Sequence, residues 1–207
     1  MKEGGIMLTR FFAHLKTYRF IYLFNLGLLI AGFSFGCVIF TRQDSESLKS
    51  LNDLITSVLS LSYIKDPAMI QSNLASNIFL IFSVFFLGLS LLGVPLLSFI
   101  LFTKGLQVGF SCMLYIEVYA LKGIAGIILT LIPFVFFELI AFLLLCAVAY
   151  EVSMSIFLTC FIKKNTLSLK SVLNHFLNYI LIALALVLVS VLFKIYLLPF
   201  LYHIFGL

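Results

Sequence analysis

Between Asn77 and Ile162 the chain is almost uninterrupted hydrocarbon, broken only by Thr103-Lys104 and by Lys122. A spanning helix needs about 20 consecutive apolar residues, so the run reads as three membrane crossings with hardly any loop between them. Inside it stand residues that a lipid-facing helix normally avoids. They are the glycines Gly88, Gly93, Gly105, Gly109, Gly123 and Gly126, the prolines Pro95 and Pro133, and one carboxylate, Glu138. Function is expected to concentrate here.

The whole chain of 207 residues is 63% hydrophobic and 10% charged, whereas a soluble domain carries roughly 25% charged residues. The fold class expected is all-α: a polytopic helical membrane protein with five transmembrane helices plus interfacial amphipathic helices. Its apolar runs are continuous rather than alternating, which excludes a β-barrel. A single integral membrane domain over 1–207 is predicted. Its helices fall at about 19–40, 77–102, 105–121, 123–150 and 177–205, with an outer loop at 41–76 and a cytoplasmic segment at 151–176. No cleavable signal peptide is expected, because the first long apolar run starts at Phe20 without a small-x-small site before Arg42. Cys37, Cys112, Cys146 and Cys160 form no C-x-x-C pair and read as buried free thiols. The net charge of +5 sits beside membrane segments. It reports topology rather than nucleic-acid binding.

In chain order, Ile6–Tyr18 has the spacing of an amphipathic interfacial helix. The first crossing carries Gly32-x-x-x-Gly36, a flat face for close helix approach that suits self-association into a homo-oligomer. In 41–76, Leu48, Leu51, Leu54, Ile55 and Val58 repeat at helical spacing before a Lys65-Asp66-Pro67 turn. The stretch reads as a connecting loop with an interfacial helix, the alternatives being a cover over the outer mouth of the bundle or a partner contact. Gly88, Gly93 and Pro95 fall in the second half of the second crossing, where a kink is predicted. The third crossing has only 17 residues. The fourth holds Pro133 and Glu138, and its apolar character runs on to Ile162, suggesting a bend into the interface. The fifth contains Lys194 and Pro199. With the N-terminus in the cytoplasm, basic residues divide eight inside (Lys104 among them) to four outside. That bias favours N-inside, C-outside.

An intramembrane carboxylate needs a partner. Glu138 and Lys194 lie at similar depths on their helices, so these two are predicted to pair. No catalytic set is visible. His14, His175 and His203 are far apart, and none has a carboxylate at i+3 or i+4. Gly88–Pro95 lacks the Lys-Ser/Thr of a phosphate loop. No catalytic residue, cofactor or metal site is expected, and the reading is that the chain is not an enzyme.

Taken in order, Leu87-Gly88-x4-Gly93-x-Pro95, Lys104-Gly105-x3-Gly109-Phe110, Lys122-Gly123 and Pro133-x4-Glu138-Leu139 resemble the core of the stage II sporulation protein M family. The similarity covers about Phe79–Ser153, and Gly32 and Gly36 support it. One departure is Phe134, where the family often has His or Gln after the proline. The resemblance implies a septal membrane scaffold in engulfment, holding two peptidoglycan-degrading partners, stage II sporulation proteins D and P. Lys104, Gly105, Gly109, Pro133 and Glu138 would then serve folding or assembly. A small transporter or channel, with helices 2–4 and Glu138 lining a pathway, is the competing expectation, since kinked helices and intramembrane charge also build transport sites.

Overall fold

A computed structural model describes residues 18–58, 67–90, 93–162 and 169–205. The described residues are helical: α1 (Arg19–Thr41), α2 (Ser45–Val58), α3 (Pro67–Gly88), α4 (Gly93–Tyr119), α5 (Leu121–Gly126), a π-helical segment (Ile127–Leu131), α6 (Ile132–Ile162) and α7 (Leu169–Phe205). Five stretches are long and apolar enough to cross a membrane: Arg19–Thr41, Ile70–Gly88, Gly93–Tyr119, Ile132–Thr159 and Phe176–Tyr196. The chain is thus an all-α polytopic membrane protein. The predicted Ile6–Tyr18 helix falls almost wholly outside the described residues, as does the Lys65-Asp66 part of the predicted turn.

The crossings are partitioned differently from the sequence expectation. Thr103-Lys104 is not a loop. Both residues lie inside α4, which has 27 residues where a short third helix was predicted. The second crossing ends at Gly88, and the chain turns at Leu89-Ser90, where Ser90 N donates to Leu87 O at 3.0 Å. Gly93 packs so tightly on the Leu87 carbonyl that a Cβ there would collide with it, so the glycine allows the turn to close. Ser153 Oγ on α6 donates to Ser90 O at 2.8 Å and ties the turn to the bundle. Pro95 consequently sits in the first turn of α4, where its missing N–H has no helical partner to lose. It starts a helix instead of kinking one.

Pro133 acts on the other long helix. Its ring would strike the carbonyl of Leu129 in a regular α-helix, and it has no N–H to donate. The helix widens into the π segment over Ile127–Leu131 immediately before it. The turn between α4 and α5 is tight enough that Ala120 takes φ 49°, a left-handed backbone rare for alanine. Gly123 meets the Tyr115 carbonyl there without room for a Cβ. Helix α6 continues unbroken to Ile162, and α7 begins at Leu169 instead of near 177. Much of the predicted cytoplasmic segment is therefore helix.

The core is centred on α6. Phe142, Leu145, Cys146, Val148 and Ala149 have no solvent exposure and meet Ile81, Val84, Leu97, Leu101, Phe176 and Val187 from α3, α4 and α7. The opposite faces of the spans are apolar and exposed, as with Phe79, Phe82 and Phe86 of α3 or Leu181, Leu188 and Leu192 of α7. Hydrophobic residues on both sides are what a helix packed in lipid requires.

Candidate functional site

Two constructions hold the centre of the bundle, one made of glycine and one of charge. Helix α1 buries Asn25, Leu29, Gly32, Gly36 and Phe40 along one stripe. This stripe packs on α4 in the most extensive contact between any two described helices. A methyl group at Gly32 would collide with the carbonyl of Phe102, and one at Gly36 with that of Leu106. In return, Gly105 abuts the carbonyl of Leu29, and Gly109 that of Phe33. Four residues along one helix match four along the other in the same sense, so α1 and α4 run parallel. The two small-x-x-x-small motifs interlock backbone to backbone, in the geometry that Cα–H···O contacts exploit. Phe40–Phe110 rings close one end at 5.3 Å, and Cys37 Sγ donates to Gly109 O at 3.6 Å. Gly32-x-x-x-Gly36 is therefore spent inside the monomer. Within the chain, α4 occupies the face that the sequence offered for self-association. Gly88 makes a third close approach, where a Cβ would lie 2.9 Å from Ala149 Cβ and 3.0 Å from the Phe176 ring.

The charged construction joins α3, α4 and α6. Lys104 Nζ forms an ion pair with Glu138 and donates to Asn77 Oδ1 at 3.3 Å. It also lies 4.8 Å from the centroid of the Phe142 ring. Asn77 Nδ2 donates in turn to Asn73 Oδ1 at 3.1 Å. The Lys104 and Glu138 side chains are 11% and 18% exposed, so the pair is largely buried in the bundle. Its depth is set by the turns. Asn77 and Lys104 lie equal numbers of residues either side of the Leu89–Leu92 connection, about 16 Å along each helix. Lys104 and Glu138 are likewise nearly symmetric about Ala120.

The predicted Glu138–Lys194 pair is replaced by this one. Lys194 Nζ lies 5.5 Å from the centroid of the Phe134 ring. Ser190 Oγ of the preceding α7 turn donates to Phe134 O at 2.8 Å. Since α7 runs antiparallel to α6, the Lys194 backbone stands about two turns from Glu138. Lys104 wins the carboxylate because it stands directly opposite on α4. Phe134 is thus the residue that receives the Lys194 ammonium.

Two polar features had no clear sequence signal. Tyr18 donates to Glu151 Oε1 at 2.8 Å, linking the start of α1 to α6. Burial first, and the Glu151 carboxylate second, push its phenol up to about 12. Asn25 is fully buried between the helices, and among the described residues neither of its amide atoms has a hydrogen-bond partner. Among the described residues no three His, Cys, Asp or Glu side chains gather as metal ligands. Cys37, Cys112 and Cys146 are free thiols.

Fold and site together define a polytopic helical membrane protein whose buried polar residues are largely spent on holding helices to one another. A family model described as stage II sporulation protein M matches residues 25–197, and the chain belongs to that family. No curated protein and no solved structure matches it. The match covers both the glycine contact and the charged network.

Proposed function

We propose that this sporulation-family membrane protein is a non-enzymatic scaffold that recruits and localises peptidoglycan hydrolases, stage II sporulation proteins D and P, at the sporulation septum for engulfment. The observation that carries the reading is how its polar residues are used. Lys104, Glu138, Asn77 and Asn73 are bonded to one another, leaving no nucleophile–base pair among them. The orientation that fits places the N-terminus in the cytoplasm and the C-terminus outside. With Lys104 and Lys194 both within the bundle, the remaining basic residues divide seven inside to four outside, which keeps the positive-inside bias. Helix α2 then lies on the outer side, between the first two crossings, where an extracytoplasmic hydrolase could meet it.

The test is a pull-down from detergent-solubilised sporulating cells with wild type and with a variant lacking 45–63. Recovery of a wall amidase and a lytic transglycosylase with wild type, lost in the variant, is the expected result. Recovery of neither, from cells that contain both, overturns the scaffold.

A π segment two helical turns before an intramembrane ion pair favours one competing reading, a small transporter or channel with Glu138 on its pathway. It predicts ion or solute flux into vesicles holding the purified protein, abolished by Glu138→Gln. The scaffold predicts no flux.

A further inference from the structure

Lys104, Glu138 and Lys194 bring two ammonium groups and one carboxylate to the middle of the bundle, and contact neutralises only one ammonium. Glu138 is held by Lys104. Lys194 extends the buried stripe of α7 that includes Ala183, Val187 and Ser190. Among the described residues its ammonium has the Phe134 ring as its contact, and no carboxylate lies within ion-pair reach.

Depth makes this arrangement unusual. The Ser190–Phe134 hydrogen bond sets this part of α7 level with the start of α6. That level is about 20 Å along the helix from the Ala120 turn, and half a hydrocarbon core is about 15 Å. Because α7 runs antiparallel to α6, Lys194 stands one turn nearer that end, about 15 Å from the Ala120 turn. The rest of α7, to Phe205, leads toward the same face. A lysine stem cannot snorkel across that distance to water or to a lipid phosphate. An ammonium so placed calls for an anion within the membrane. It is within reach of one: Lys194 is only partly buried, and the neighbouring Phe193 and Tyr196 are 38% and 73% exposed.

We propose that Lys194 is the docking point for a carboxylate carried near mid-membrane by the transmembrane helix of a partner protein. Charge complementarity selects this occupant, since one added carboxylate brings the three intramembrane charges of the site to neutrality. The Phe134 ring lies under the ammonium. Phe137, about one turn on from Phe134, and Phe193, next in sequence to Lys194, are in contact at 5.3 Å. These rings would give the incoming helix an apolar seat. The proposal deepens the scaffold reading by naming the chemistry of a recruited membrane anchor, and rests on that reading only for what the anchor carries.

The test uses the full-length protein, donor-labelled and reconstituted in phosphatidylcholine vesicles. The probe is an acceptor-labelled, leucine-rich transmembrane peptide with a single central Glu, compared with the same peptide carrying Gln. The Glu peptide is expected to associate roughly tenfold more tightly, the effect of one close charge pair. Lys194→Met should erase that preference and Lys194→Arg should keep it, each in protein that elutes as wild type on size exclusion. Equal association of the two peptides with wild type, or a preference that survives Lys194→Met, overturns the docking point. Either result leaves the pull-down of wall hydrolases to decide the scaffold on its own.

Discussion

The α1–α4 contact and the α3–α4–α6 network solve one problem by opposite means. Lipid offers no hydrophobic force to press one apolar helix on another, so packing or polar bonding has to supply it. At Gly32, Gly36, Gly105 and Gly109 the side chain is absent and backbone meets backbone. At Lys104, Glu138 and Asn77 long polar side chains reach across a wider gap. The first contact depends on volume and is indifferent to charge. The second depends on charge and leaves room for substitution in size. Both involve α4, which explains why one helix carries Lys104, Gly105 and Gly109 within six residues.

The largest effect should come from filling the glycine contact. Gly32→Leu or Gly105→Leu drives a side chain into the opposing main chain, which cannot yield as a side chain does. A loss upward of about 3 kcal/mol is expected, seen as failure to recover monodisperse protein by size exclusion in detergent. Wild-type elution and melting would break the distinction between the two constructions.

Next comes the charge. Lys104→Met leaves Glu138 buried and uncompensated at a cost of about 3–5 kcal/mol, while Lys104→Met with Glu138→Leu should melt within about 1 kcal/mol of wild type or above it. Thermal midpoints of the two singles and the double measure the coupling. A double variant as unstable as the worse single would mean that the pair is not an isolated lock.

Asn25 sits on the glycine stripe yet brings into it an amide with no partner among the described residues. Asn25→Leu is of similar size and is expected to raise stability by about 1–2 kcal/mol. A drop instead would show that the amide has a partner, such as a bound water. Gly27 is the control on the same helix, with nothing within 4 Å of a Cβ. Gly27→Ala should gain up to about 1 kcal/mol from helix propensity alone, in sharp contrast to Gly32.

Much of this was legible in the sequence, and the failures are instructive. The class, the span count and the importance of the glycines and Glu138 follow from composition and from residue types that lipid disfavours. The errors centred on Lys104. A lone lysine between two apolar blocks looks like a loop, because an isolated charge in hydrocarbon is costly. Nothing local reveals that its cost is offset by a carboxylate 34 residues away. Misplacing that boundary divided α4 in two, turned Pro95 into a kink and sent Glu138 to Lys194. A signal was available: once turns are set near Ser90 and Ala120, hairpin symmetry aligns Asn77 with Lys104 and Lys104 with Glu138.

By itself, then, the sequence determined an all-α membrane protein of the stage II sporulation protein M family and marked which residues are too costly to face lipid. Those are properties of residue type and local run length, and they need no knowledge of neighbours. The tertiary structure alone decided which residues meet. Gly32-x-x-x-Gly36 is matched within the monomer, Glu138 goes to Lys104, and Lys194 is left on an aromatic ring. Pairing depends on where the turns fall and on which helix faces are opposed, and an unbroken apolar run fixes neither.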